Sequence, residues 1–86
     1  MSATPAPAAQ LWEATLAQLM LRVTRQNYDT WLRSTMGCHY EGTTLIVKTG
    51  SDLACDWLST RMRSVIAQSL TAVAGGGVSV RFEPSE

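Results

Sequence analysis

The chain is 86 residues long, 45% hydrophobic and 16% charged, with seven Lys or Arg against seven Asp or Glu. A chain this short forms one small domain that buries only roughly 60–65% of the surface its unfolded form exposes, so a deep, enclosed catalytic cleft is not expected. The balanced charge excludes a protein whose main task is to neutralise a phosphate backbone, and any nucleic-acid binding should be weak.

Two cysteines, Cys38 and Cys55, are too few for a disulfide framework and belong to no C-x-x-C pair, so both are read as reduced thiols. Met1 to Gln10 carries neither Lys nor Arg and lacks the apolar run of a secretory signal. No segment approaches the roughly 20 apolar residues needed to cross a bilayer. A cytoplasmic protein is expected, without membrane partners.

Residues 1–10, rich in Ala, Pro, Ser and Thr, are predicted to be a disordered leader. From Leu11 the apolar residues Trp12, Leu16, Leu19 and Val23 recur at helical spacing, predicting a helix to about Val23. Thr24 then caps a short second helix, with Tyr28, Trp31 and Leu32 on one side and Arg25, Asp29 and Arg33 on the other. The period next falls towards two, predicting a β-hairpin of Met36–Glu41 and Thr44–Lys48 that turns at Gly42. Ser51 and Asp52 open a third helix whose apolar positions, from Leu53 through Trp57, Leu58, Met62, Ile66 and Leu70 to Val73, sustain one period until Gly75-Gly76-Gly77 stops it. Val78, Val80 and Phe82 alternate as a last half-buried strand, and residues 84–86 form a polar tail. The order ααββαβ predicts an α+β, compact, two-layer domain over residues 11–83, a three-stranded sheet packed against helices.

Chemistry is sparse. Cys38 and His39 are neighbours on a strand, so they point to opposite faces and cannot share a proton as nucleophile and base must. Asp52 and Asp56 share a helix face, yet Asp52 suits a helix start and Asp56 ordinary surface pairing. The glycine triplet follows a helix and precedes a strand, the reverse of phosphate-loop order, and no G-x-x-G loop lies between two helices. No metal site and no cofactor is implied, and an enzyme is the least expected class. Arg25, Arg33, Arg61 and Arg63, with Arg22, are the candidate contacts for weakly bound single-stranded nucleic acid, although a solvated face explains them equally well. Trp12, in the first predicted turn, is divided evenly between an exposed interface anchor and a contact into the sheet.

Several segments together resemble one family, the N-terminal domain (domain I) of the bacterial replication initiator DnaA. They are Leu11-Trp12 with Leu16 and Leu19, Tyr28-Asp29-Thr30-Trp31-Leu32-Arg33, Gly42-Thr43-Thr44-Leu45, Asp56-Trp57-Leu58, and Val80-Arg81-Phe82-Glu83. The resemblance implies a KH-like fold used as a non-catalytic interaction module of replication initiation, nucleoid-associated in the cytoplasm. Such a module self-associates weakly, docks the DnaB-type replicative helicase, receives initiation regulators and has been linked to low-affinity single-stranded DNA. It implies self-association through Trp12 and helicase or regulator contact through Asn27 and Leu53. Asn27 is neutral where some members carry a carboxylate, and Leu53 is aliphatic where phenylalanine is usual. Two alternatives stand beside this reading: a small KH-like single-strand binder, and a stand-alone structural or decoy subunit of a nucleoprotein complex.

Overall fold

The first helix, α1 (Pro7–Met20), already includes Pro7, the first described residue. This start corrects the predicted boundary at Leu11: Pro7 to Gln10 are helical and Ala8 is buried. The reason is periodic, because Ala8 lies one turn before Trp12 and extends the buried stripe of Trp12, Thr15 and Leu19. The computed structural model describes residues 7–84, so residues 1–6 of the predicted leader and 85–86 of the tail lie outside the described residues. Helix α1 ends at Met20, short of Val23, and a turn follows in which the amides of Arg22 and Val23 both reach the Leu19 carbonyl.

Thr24 caps α2 (Arg25–Asn27), its hydroxyl accepting from the Asn27 amide at 3.1 Å. The chain then runs directly into a π-helical segment, Tyr28–Leu32, marked by the Arg33 amide donating to the Tyr28 carbonyl. Such wide turns occur mostly as single insertions within helices.

Strands β1 (Met36–Glu41) and β2 (Thr44–Thr49) form the expected antiparallel hairpin. The two-residue turn Gly42-Thr43 joins them, and Gly42 takes the positive φ of 63° that this tight turn requires at its first position. A bulge between Gly37 and His39 interrupts the register. Strand β3 (Ser79–Pro84) lies parallel to β2, giving the order β1-β2-β3. Pro84 therefore closes β3 and does not open a tail; at a strand end its missing amide hydrogen is tolerated.

The crossover between β2 and β3 holds a second correction. The single helix predicted from Asp52 to the glycines is two, α3 (Asp52–Thr60) and α4 (Arg63–Ala74), broken at Arg61-Met62. One helix over residues 52–74 would be roughly 34 Å long at 1.5 Å per residue, against a molecule whose longest extent is 36 Å. The break lets α3 pack on β3 while α4 packs on α1. Met62, with φ −111° and ψ 9°, is the buried corner. Gly75 caps α4 in the left-handed conformation, as expected.

The result is an α+β domain of four helices and a three-stranded mixed sheet packed against them. Leu45 and Val47 of β2, with Phe82 of β3, enter the core beneath the helices, and Trp12 meets Phe82 edge-on at 5.7 Å. Ile46 faces the other way, aligned with His39 and Arg81, yet it too is fully buried. A network of charged side chains covers it. Lys48 donates to Glu83 at 2.9 Å, Arg81 to Glu83 at 2.6 Å and to Glu41 at 3.3 Å, and His39 sits 3.2 Å from Glu41.

Candidate functional site

The residues named from sequence fall into distinct places. Trp12 belongs to the core: it is 1% exposed, and its indole Nε1 donates to the Thr35 hydroxyl at 2.9 Å. Of the two readings given to Trp12, the contact into the sheet is the one observed, so the expectation of an exposed tryptophan is corrected. The cause is the early start of α1, which places Trp12 mid-helix between Ala8 and Thr15 and not at a frayed end.

Asn27 and Leu53 are both exposed, Leu53 to 67%. Each stands four residues before a tryptophan, Asn27 before Trp31 and Leu53 before Trp57. Those two tryptophans stack on one another with ring centroids 4.6 Å apart and planes only 11° from parallel. The stack joins the π-helical segment to α3, and the Arg61 guanidinium lies over the Trp57 ring, 5.3 Å from its centroid. Both tryptophans are half-buried at the margin of the core. The Trp57 Nε1 is buried without a hydrogen-bond partner. Helix α3 is set firmly at its start: the Ser51 hydroxyl accepts from the Ala54 amide at 3.1 Å, and Asp52 places a negative charge in the first turn. Leu53 is thus held out to solvent on a capped helix that a stacked aromatic pair braces. The tryptophan stack and its guanidinium cover were missed from sequence. The signal was present in the separate spacings of Trp31 and Trp57, but nothing linked residues so far apart in the chain.

The four arginines have different neighbours. Arg25 and Arg33 flank Asp29, each 3.9 Å from it, along one side of α2 and the π-helical segment. Arg61 covers Trp57. Arg63 lies over the junction of α4 with β3, beside Val80 and Ile66.

Cys38 and His39 make separate contacts, the Cys38 thiol with the Met36 carbonyl at 3.7 Å and His39 with Glu41. Among the described residues no group of three or more His, Cys, Asp or Glu is placed to hold a metal ion. The charges over Ile46 perturb one another. The Glu83 carboxyl is held below its ordinary value, first by the hydrogen bond from Lys48 and then by that from Arg81. Lys48 and Arg81 are raised, each chiefly through its bond to Glu83.

With this geometry in place, comparison with known families gives one finding: the family model described as the DnaA N-terminal domain matches residues 9–72. The matched span begins in α1 and ends in α4, so it takes in the core tryptophan, the hairpin, and both tryptophans of the stack.

Proposed function

Because the chain belongs to the DnaA N-terminal domain family, we propose that it is a docking module of DNA replication initiation whose working face is the edge carrying Asn27 and Leu53. Membership supports the role in replication initiation and, with it, protein–protein interaction. The family's N-terminal domain is an interaction module and not a catalyst. The partner proposed for this face is the DnaB-type replicative helicase, with regulators of initiation competing for the same residues.

The observation that carries this reading is Leu53. A leucine 67% exposed, on the first turn of a capped helix, leaves apolar surface that folding alone does not use. Binding energy concentrates where an apolar anchor stands on a rigid support and is ringed by polar groups. Here the stacked tryptophans supply the support, and Asn27, Asp52 and Asp56 supply polar side chains at or near the face. The same feature accommodates the two departures noted above, since a leucine buries less area than phenylalanine and an asparagine still donates and accepts hydrogen bonds. A weaker but similarly placed contact follows.

The test is calorimetric titration of the helicase into the wild-type protein and into Leu53→Ala. Binding should weaken by about tenfold, on the order of 1–2 kcal/mol for one anchor, while the melting temperature stays within the small range of surface substitutions. Equal affinity for both proteins would remove Leu53 from the interface. Self-association through Trp12 is not part of this reading. Among the described residues no helix is long and apolar enough to cross a membrane.

A further inference from the structure

We propose that the cleft between the end of α1 and the outer side of α2 is a second docking surface, and that it takes an acidic segment of another protein with an apolar anchor. The cleft has a volume of about 530 Å³ and is lined by Met20, Arg25, Tyr28, Asp29 and Arg33. Its apolar side is open, with Met20 60% exposed and the adjoining Leu21 81% exposed. Its charged side is open as well: the Arg25 and Arg33 side chains are 94% and 75% exposed. Residues 25, 29 and 33 recur every four positions and are joined by their ion pairs, so they share one side of the helix. Asn27 and Trp31, two positions away, belong to a different side, and this cleft is therefore distinct from the face proposed above.

Charge selects the occupant. Arg25 and Arg33 flank a single Asp29, a local excess of positive charge in a chain that is neutral as a whole. Both Asp29 contacts are 3.9 Å long, and each guanidinium keeps most of its surface free, so both retain capacity for a second carboxylate. The exposed Met20 side chain and the Tyr28 ring beside it in the lining need an apolar counterpart that a phosphodiester backbone does not provide. Asp29, central between the two arginines, repels a continuous polyanion while leaving room for carboxylates on either side of an apolar anchor. Tyr28 and Asp29 of the π-helical segment line the cleft together with Met20. Wide turns of this kind recur at functional sites.

The experiment is an NMR titration of the whole chain, read at the Met20 and Leu21 methyls and the Tyr28 ring. The probe is a synthetic helix carrying leucine and phenylalanine one turn apart with glutamates between them, and its control has glutamine at the glutamate positions. Saturable shifts with the acidic peptide, reduced about tenfold or more in affinity by Arg25→Glu with Arg33→Glu, support the proposal. Equal binding of the glutamine peptide overturns it, as does the absence of shifts. Stronger shifts of the same signals with an oligothymidylate assign the cleft to nucleic acid, and shifts on raising the protein concentration alone assign it to a second copy; either overturns the proposal. The double variant leaves Asn27 and Leu53 intact, so it should bind helicase normally. Loss of helicase binding by Leu53→Ala with peptide binding retained separates the two surfaces, and failure of either leaves the other standing.

Discussion

Trp12 decides how this domain holds together, because one side chain links three elements. From α1 it meets Phe82 of β3 edge-on, bonds Thr35 ahead of β1, and lies against Gly37. Truncating a buried tryptophan to alanine costs about 3–5 kcal/mol through lost transfer energy and the cavity left behind. That is a large part of the stability of any domain this small. Trp12→Ala should therefore unfold at far lower denaturant concentration than the wild type, and a variant of unchanged midpoint would place the tryptophan outside the core. Gly37 makes the complementary case. A Cβ added there would stand 2.6 Å from the Ala8 carbonyl oxygen and 2.6 Å from the Trp12 Cβ. Gly37→Ala should cost about 1–3 kcal/mol by overpacking, measured in the same denaturation series, and a neutral result would mean that α1 moves freely against β1.

At the scale of elements, β3 is held by its neighbour's backbone and by the charges over Ile46. The Glu83 carboxylate accepts from Lys48 on β2 and Arg81 on its own strand, and Arg81 reaches across to Glu41 on β1. The pH dependence follows from the signs of the shifts. Glu83 is lowered from 4.5, so its contribution is complete above that value and is lost as pH falls through the lower folded value. Lys48 is raised from 10.5, so its contribution is complete below that value and is lost as pH rises through the higher folded one. Because these groups are partly solvated, salt should weaken them. Thermal melts of Glu83→Gln should show a shallower acid limb and less salt sensitivity than the wild type; identical curves would show that the network contributes nothing to β3. The same scale marks where sequence reasoning stopped. Thr24, Ser51, Gly42 and Gly75 are local signals, each acting on the few residues around it, and each was legible. The break at Arg61-Met62 has no glycine or proline to announce it. It arises because α3 and α4 pack against different elements, and the apolar period passes through it uninterrupted.

For the whole molecule, order and class were legible because alternation in the strands and helical spacing elsewhere leave each element one face to bury. Only a sheet with helices on one side satisfies them all. What escaped was pairing between distant residues: the Trp31–Trp57 stack, the charged cover over Ile46, and the cleft at Met20 depend on how elements meet. Of the site residues, Asn27 and Leu53 stand on the surface and Trp12 is buried. The proposed recruitment of helicase by the surface of Asn27 and Leu53 is tested most directly by an amide and indole NMR titration of the chain with the DnaB-type helicase of the same organism. Saturable shifts centred on Asn27, Leu53 and the indoles of Trp31 and Trp57, with the Met20 and Tyr28 signals unmoved, are the expected result. Shifts confined to the α1–α2 cleft, or none at helicase concentrations well above the protein's, would contradict it.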